Sequence, residues 1–351
     1  MPLELGPIAG VSVLGAGTAF PTTTFTNLEV LERLAPGFWS DGAAPDRERL
    51  AFMADGIEGT LGVKRRAWSH IPGTPFDHEK ELTTLDLALD AGRRALVDAN
   101  VAASDLGLVL VSTSTPYRMT STLSAVVGAR LDSHAACMDI RTGCSAGLFA
   151  LSTASLFVAQ TEKPALIIGT ETFSKVLPPT HKPAALTLAD GAGALVLAKG
   201  PGTLLAATLA SDGRLAHLVS APGALPPRAE DIASGQFYLH GSPEELAAEL
   251  PSKYKDAIGR AFTKAKLTGA DITRYVPHQT SPALIHAVAK EVGVAEARCF
   301  VNVPEHANVG AAGWIVAIAE SRAQKPFERG ERILTAAVGG GMSWAAAILE
   351  T

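Results

Sequence analysis

Short apolar runs alternate with longer segments of helical pattern along the whole chain. The runs include LGLVLVST, ALIIGTE, GALVLAKG and RILTAAVGG. They are continuous rather than alternating in polarity, as in strands that are buried on both faces. The intervening segments include TTLDLALDAGRRALVDANV and ELPSKYKDAIGRAFTKAKL, whose apolar spacing predicts helices. This order of elements predicts a layered α/β fold.

The same order of elements occurs twice. SDLGLVLVSTSTP (residues 104–116) matches ADITRYVPHQTSP (residues 270–282), since each has an acidic residue, an apolar strand, a polar turn and a proline. Farther along, the pattern of DIRTGCSAGLFAL predicts a strand, then Cys144, then a helix of small residues. The pattern of FVNVPEHANVGAAGWIVAI predicts a strand, then Asn308, then a helix of small residues. Each half closes with a glycine-led strand. We therefore predict two halves, 1–200 and 201–351, divided at the Gly-Pro-Gly of AKGPGTLL.

The composition excludes several classes of protein. A chain of 351 residues with net charge −5 is long enough for two halves and lacks the basic footprint of a nucleic-acid-binding protein. Three cysteines without a CxxC spacing argue against a disulfide framework or a zinc site. We find no long uninterrupted apolar run and no signal-peptide pattern, so we expect a cytoplasmic enzyme without a membrane span.

One cysteine lies where the pattern predicts the start of a helix. In DIRTGCSAGLFALS, Cys144 stands between a short apolar strand and a run of small residues. The positive end of a helix dipole favours a thiolate, which is the reactive form of cysteine. Cys144 is therefore a candidate nucleophile. Cys137 and Cys299 lie in or beside strand-like runs, and we interpret both as core residues.

Equivalent loops of the two halves carry groups that a thiolate nucleophile needs. His278, in VPHQ, is the candidate to manage the proton of the thiol. Asn308 offers a neutral amide that can stabilise a developing negative oxygen, although it could also simply cap the next helix. The glycines of VGGGMSW allow a close backbone approach, and the N–H groups of Cys144 and Gly340 are the predicted oxyanion hole.

Four motifs occur in an order that identifies a family: DGAGALVL, VPHQTSPALI, ANVGAA after a strand, and the terminal GGGMSWAAAIL. Together they resemble the β-ketoacyl-ACP synthase III branch of the thiolase superfamily. The resemblance implies a thiolase fold, in which two pseudo-repeated βαβαβαββ halves form a five-layered αβαβα sandwich. It also implies a homodimer that pairs the central sheets, no cofactor or metal, and acyl thioesters of coenzyme A or of an acyl carrier protein as substrates.

The resemblance also implies roles for the three candidate residues. Cys144 would accept the acyl group, and His278 and Asn308 would hold the thioester carbonyl of the second substrate. Decarboxylation of a malonyl thioester would then generate the enolate that attacks the acyl group.

Several positions depart from the family pattern and bear on the substrate. The aromatic and arginine that clamp adenine are replaced near Gly56 and Thr60, although Lys64, Arg65 and Arg66 could still meet phosphates. Ser281 stands where the family has asparagine, Ala283 where it has a basic residue, and the segment SPEELAAEL is acidic where lysine is usual. These changes predict weaker attraction to an acidic carrier protein and a specialised enzyme of polyketide, fatty-acid or secondary metabolism.

Five side chains are candidate substrate contacts: Met119, Arg141, Lys175, Ser281 and Lys64. Met119 occupies the place of a bulky family residue that reaches the partner's acyl tunnel, so a flexible methionine would permit a longer or branched chain. Arg141 could stabilise the thiolate or bind an acyl carboxylate, or it could be a buried structural arginine paired with a carboxylate.

Other functions and other residue roles stay open at this point. The chain could pass its acyl group to an oxygen or nitrogen nucleophile without condensation, or serve as a non-catalytic partner of a heteromeric synthase. A papain-like hydrolase fits the order Cys, His, Asn but not the paired glycine-led strands. Asp190 is interpreted as a structural turn and His306 as a possible neighbour of Asn308, while His181 and His286 are given no role.

Overall fold

The computed structural model describes residues 1–34, 38, 39 and 45–351. The strands are β1 (Leu3–Leu5), β2 (Ile8–Ala19), β3 (Thr24–Thr26), β4 (Arg65–Ala67), β5 (Leu108–Ser112), β6 (Ala136–Ile140), β7 (Ala165–Thr172), β8 (Asp190–Ser211), β9 (Val219–Ser220), β10 (His240–Gly241), β11 (Arg274–Tyr275), β12 (Arg332–Gly339) and β13 (Ser343–Glu350). The helices are α1 (Asn27–Arg33), α2 (Arg47–Leu61), α3 (Thr84–Ala99), α4 (Leu123–Arg130), α5 (Ala146–Thr161), α6 (Lys182–Thr187), α7 (Ala229–Ala233), α8 (Pro243–Ala265), α9 (Pro282–Glu291), α10 (Val303–His306) and α11 (Gly313–Gln324).

One long strand, β8, serves both halves of the molecule. Its first part pairs antiparallel with β7 and β2, in a set ordered β2–β8–β7–β5–β6. Its second part pairs antiparallel with β13 and β1, in a set ordered β1–β8–β13–β12–β11. The β7–β5–β6 and β12–β11 pairings are parallel. Strands of both sets belong to one hydrogen-bonded network of nine strands.

The pairing pattern of the first set recurs in the second. A parallel bridge between Tyr275 and Cys299 stands beside β11, as β6 stands beside β5.

The division at residue 200 stays a prediction, and that residue lies within β8 rather than in a linker. The strand predicted before Asn308 is wrong, because only the single bridge at Cys299 forms and the short helix α10 follows it. Pro304 lies in that helix and lacks the N–H that a strand ladder would use.

Helices lie on both outer faces of the two strand sets and between them. α5 and α11 form the central layer, where they pack against inward-facing residues such as Leu110, Ile167 and Ile333. α3 and α4 cover the opposite face of the first set, and α8 and α9 cover that of the second. Alternate residues of a strand point to opposite faces, so each buried strand contributes to two cores. The predicted thiolase-type sandwich of α and β layers is therefore confirmed.

The central helix α5 owes its apolar character to this position. With the three residues before it, it forms a segment, Gly143–Thr161, that is long and apolar enough to cross a membrane by length and composition. Its buried side chains, which include Leu148, Leu151 and Val158, pack between the two strand sets. A helix that is apolar on all sides is expected in the centre of a large core.

Small residues allow the central layer to lie close to the strands. Alanine at a packed glycine and alanine at an open helical glycine should therefore change the stability of the fold in opposite directions. A methyl group on Gly169 of β7 would lie 2.5 Å from the Ala311 carbonyl oxygen and 2.7 Å from the Ala312 Cα. Gly169→Ala should therefore destabilise the fold by about 1–3 kcal/mol. Gly259→Ala, in α8, meets no atom within 4 Å and should stabilise by about 1 kcal/mol through helix propensity. Thermal midpoints measure both, and a shift in the same direction for the two variants would contradict this packing.

Candidate active site

Cys144 lies in a tight loop between β6 and α5. Gly143 adopts a positive φ of 58°, which glycine permits without steric cost. The Ser145 hydroxyl donates to the Thr142 carbonyl at 2.8 Å and closes the loop. Cys144 is partly exposed, and the first turn of α5 begins two residues later. The predicted placement of a thiol at the start of a helix is confirmed.

The end of β12 reaches across from the second half and packs on this loop. A methyl group on Gly339 would collide with the Cys144 backbone nitrogen and would lie 2.7 Å from the Thr142 carbonyl oxygen. A methyl group on Gly143 would lie 2.7 Å from the Gly340 nitrogen. Only glycines allow so close an approach of two backbones. The contact brings the Cys144 and Gly340 backbones close together, and the assignment of their N–H groups to an oxyanion hole stays a prediction.

His278 is fixed by its backbone and packed by its ring. Its N–H donates to the Ala336 carbonyl of β12 at 2.8 Å. The imidazole is only 1% exposed and packs on Gly313, where a methyl group would lie 2.9 Å from Nδ1. Within the described residues neither ring nitrogen hydrogen bonds to a protein group. Burial lowers the pKa of His278 to about 4, so the ring is neutral at neutral pH.

Asn308 is held between the two halves. Its N–H donates to the Thr187 carbonyl at 2.9 Å, and its carbonyl accepts from Ala189 at 3.0 Å. Its side-chain oxygen accepts from the Gly310 N–H at 2.9 Å. The amide therefore does cap the following turn, and that bond occupies its oxygen while its NH₂ group keeps two donors for other partners.

Contacts between the central helices bring the three loops to one end of that layer. Gly147 in the first turn of α5 packs against α11, since a methyl group there would lie 3.2 Å from the Trp314 ring and 3.3 Å from the Ala311 carbonyl. Gly313, the first residue of α11, packs against the His278 ring. Cys144 immediately precedes α5, and Asn308 precedes α11 by five residues. All three predicted residues thus lie around the N-terminal ends of α5 and α11.

A buried carboxylate that the sequence pattern did not single out completes the site. Glu171 in β7 has no exposed surface, and burial raises its pKa to about 7 against hydrogen bonds that lower it. Burial and the charge of Glu171 raise the pKa of the Cys144 thiol to about 12. This opposes the effect expected from the helix dipole, so the resting group is a thiol. A charged residue inside the apolar run ALIIGTET was the signal for Glu171.

Of the five predicted substrate contacts, three are exposed and two, Lys175 and Ser281, are half-buried. Met119 is 65% exposed, and Arg141 is also exposed. The Lys175 ammonium donates to the Leu82 carbonyl and lies 4.6 Å from the Phe76 ring centroid. Ser281 caps α9 by accepting from the Leu284 N–H. Lys64 is exposed, 3.8 Å from Glu58. The roles of all five stay predictions.

Two of the interpretations made for arginines are wrong. Arg66 is fully buried, donates to the Asn27 side chain and the Leu186 carbonyl, and so is closed to a phosphate. Burial lowers its pKa to about 10. Arg141 is not the buried, paired structural arginine that we considered, because its side chain is exposed. Exposure leaves the other two interpretations of Arg141 open, which are stabilising the thiolate and binding an acyl carboxylate.

The remaining singled-out residues have structural partners. His306 stacks on Phe20 with centroids 4.3 Å apart and pairs with Glu320 at 2.6 Å. Asp190 is buried at the start of β8, where it accepts from the hydroxyls of Ser69 and Ser174. His181 caps α6, and His286 lies 3.7 Å from Glu296. Cys137 and Cys299 are only half-buried, at the edges of their cores rather than inside them.

Comparison with known proteins places this geometry in a family. The model for 3-oxoacyl-[acyl-carrier-protein (ACP)] synthase III matches residues 138–213, and the model for the C-terminal part of that enzyme matches residues 262–351. The chain is 33% identical over 303 residues to β-ketoacyl-[acyl-carrier-protein] synthase III of Rhodobacter capsulatus, covering 84% of this chain and 89% of that one.

Solved structures share the fold along nearly the whole chain. The crystal structure of 3-oxoacyl-[acyl-carrier-protein] synthase III from Aquifex aeolicus VF5 matches with TM-score 0.82 and 24% identity, covering 97% of this chain and 100% of that one. The priming β-ketosynthase from the R1128 polyketide biosynthetic pathway matches with TM-score 0.83 and 24% identity, covering 99% and 98%. With its fold, its motifs and this relationship established, the chain belongs to the β-ketoacyl-ACP synthase III family of acyltransferases within the thiolase superfamily.

Proposed function

We propose that the chain carries an acyl group on Cys144 and transfers it by Claisen condensation, either with a malonyl thioester, which loses CO₂, or with a β-ketoacyl thioester. The observation that supports this most strongly is the meeting of Cys144, the buried imidazole of His278 and the Asn308 amide at the ends of α5 and α11. The specialised pathway, of polyketide, fatty-acid or secondary-metabolite type, is part of the proposal. The departures at Ser281, Ala283 and the acidic segment 242–250 support it.

In the first step the Cys144 sulfur attacks the carbonyl carbon of an acyl thioester. The bond from that carbon to the donor's sulfur breaks, and the donor leaves as a thiol with the Cys144 proton. The N–H groups of Cys144 and Gly340 stabilise the negative oxygen of the tetrahedral intermediate. A neutral His278 can accept the thiol proton during this step, which a thiol of raised pKa requires.

In the second step a malonyl thioester loses CO₂, and the electron pair of the broken carbon–carbon bond becomes an enolate. Neutral donors from His278 and Asn308 hold the thioester oxygen on which that charge develops. The enolate carbon attacks the acyl carbon, and Cys144 leaves and regains a proton. His278 can act as a neutral donor in this step, because burial lowers its pKa and keeps the ring uncharged.

A homodimer is part of the same proposal. β6 lies at the edge of its set, and Met138 on this strand is 45% exposed. An unpaired edge strand is a template for pairing with another chain. A second copy pairing along β6 would cover this edge and would place the Met119 loop, which follows β5, near the partner.

Substitutions at the three central residues test the division of roles. Cys144→Ala should abolish acylation by acyl thioesters, read by intact mass after incubation with acyl-CoA and acyl-carrier donors. His278→Ala and Asn308→Ala should spare acylation more than condensation, which should fall by about 10²–10³-fold, because each removes one donor to the enolate. Equal loss of both steps in these two variants would contradict the division of roles. Acyl transfer to an oxygen or nitrogen acceptor without CO₂ release would instead support the non-condensing alternative, and a wild-type chain that gains no acyl group would be a non-catalytic partner.

The raised pKa of Cys144 predicts how its reactivity depends on pH. Below the pKa of about 12, the thiolate fraction rises about tenfold per pH unit. Alkylation of Cys144 by iodoacetamide should therefore increase steadily from pH 7 to pH 9.5. Peptide mass mapping separates Cys144 from Cys137 and Cys299. A plateau reached below pH 8 would show that the helix dipole outweighs burial and Glu171.

The homodimer is tested on its exposed edge. Met138→Lys places a charge on β6 and should shift the chain toward monomer, because a desolvated charge opposes strand pairing. Ile232→Lys, at an apolar position that is 60% exposed on α7, is the matched control and should leave the mass unchanged. Light scattering after size exclusion measures both. A wild-type monomer, or equal effects of the two variants, would contradict this interface.

A further inference from the structure

Glu171 occupies a place in β7 where an ionisable group is costly. It is the penultimate residue of that strand and has no exposed surface. A buried carboxylate loses its hydration and persists only where donors replace the lost water. We therefore expect Glu171 to have a role in the site, and its hydrogen-bond partners indicate which one.

On one side the carboxylate collects donors from the loop that follows β5. Both of its oxygens accept from the Ser114 N–H, at 2.9 and 3.1 Å. One oxygen also accepts from the Thr115 N–H at 3.1 Å and from the Thr115 hydroxyl at 2.7 Å. The Thr113 hydroxyl lies 3.3 Å from the same oxygen. Glu171 is thus rigidly placed by three consecutive residues.

On the other side the carboxylate contacts the turn that follows Asn308. The Ala311 N–H donates to Glu171 at 3.3 Å, and a methyl group on Gly310 would lie 3.1 Å from the Glu171 Cγ. The N–H of this same Gly310 holds the Asn308 side-chain oxygen at 2.9 Å. A continuous chain of contacts therefore runs from Glu171 through Gly310 and Ala311 to the Asn308 amide.

The backbone around Asn308 needs such support. Ala307 has a φ of 54° and a ψ of −152°, and Gly310 has a φ of 53°. A non-glycine residue in such a region costs about 1–3 kcal/mol and persists only when its surroundings fix it. Thr187 and Ala189 fix the Asn308 backbone from one side. Glu171 fixes the turn on the other side.

We propose that Glu171 is a positioning residue, which sets the orientation of the Asn308 amide by holding the Gly310–Ala311 turn. The role assigned to Asn308 is that of the proposed function, on which this inference rests. Glu171 contacts neither acyl group in this account and acts through Asn308. Loss of its contacts should therefore slow the transfer step and spare the acylation of Cys144.

The test uses Glu171→Gln and Glu171→Asp in the full chain. An amide at 171 turns an NH₂ group toward backbone donors and breaks one side of the network, and an aspartate keeps the charge but is one methylene too short to reach the turn. Both variants should be acylated by acyl-CoA within about threefold of the wild-type rate, while transfer to malonyl-CoA falls by about tenfold or more. If the glutamine variant fails to fold, the aspartate variant decides.

A buried carboxylate elsewhere serves as the matched control. Glu331 pairs with Arg274 at 3.0 Å and precedes β12 at the end opposite to Gly339. Glu331→Gln should lower the thermal midpoint without changing the ratio of transfer to acylation. A purely structural role for Glu171 would give the same result as this control.

The double variant Glu171→Gln, Asn308→Ala gives the sharpest outcome. If Glu171 acts through Asn308, the double variant should transfer as slowly as Asn308→Ala alone, whereas independent effects would multiply. Multiplied effects, wild-type transfer in Glu171→Gln, or equal loss of acylation and transfer would each overturn the inference. Failure of the wild-type chain to be acylated at all would refute the proposed function instead, so the two failures are distinguishable.

Discussion

The site depends on the backbone contact between the Cys144 loop of one half and the end of β12 in the other. Gly143 and Gly339 make this contact possible, since a methyl group at either position would meet backbone atoms across it. The contact brings the Cys144 and Gly340 backbones close together beside the start of α5. The backbone N–H of His278 donates to the Ala336 carbonyl on the same strand, so β12 also positions His278. A single interface between the halves thus positions the candidate nucleophile Cys144, the glycine-led end of β12 and the His278 imidazole.

The electrostatics of the site favour neutral groups at rest. The thiol of Cys144 has a raised pKa and the imidazole of His278 a lowered one, both chiefly because of burial. Charge in such surroundings is expensive unless donors already face the atom that bears it. In the proposed reaction each negative oxygen forms beside N–H groups that can donate a hydrogen bond to it. The low local polarity strengthens those hydrogen bonds. Among the described residues, Glu171 is the carboxyl group whose charge, after burial, raises the pKa of Cys144. The proposed reaction assigns Glu171 no step of its own, which is consistent with a positioning role.

Much of the fold and of the site could be predicted from the sequence. Continuous apolar runs marked β5, β7, β8, β12 and β13, and helical spacing marked α3 and α8, because these elements are long and strongly patterned. Cys144, His278 and Asn308 stood at loops in matching places of the two halves, so their meeting at one end of the central layer followed from the repeat. The prediction of a strand before Asn308 was wrong because Val301 and Val303 are residue types typical of strands, whereas Val303 begins the short helix α10 and Pro304 follows it there.

Other features depend on contacts between residues far apart in the sequence. Arg66 looks like one of three surface cations, and only the packing of Asn27 and Leu186 around it shows that it is buried. Glu171 gains its partners from loops 57 and 140 residues away, which no local pattern reveals. Within the part of the chain that the structure describes, the exposed side chains of Met119, Arg141 and Lys64 form no hydrogen bond with a distant residue, and their roles stay predictions.

The most direct test of the central claim is a crystal structure of the wild-type chain after incubation with an acyl-CoA in the absence of malonyl thioester. The account predicts continuous electron density from the Cys144 sulfur to an acyl carbon, with the acyl oxygen within hydrogen-bond distance of both the Cys144 and the Gly340 nitrogens. An acyl group on another residue, or an acyl oxygen turned away from those two nitrogens, would contradict it.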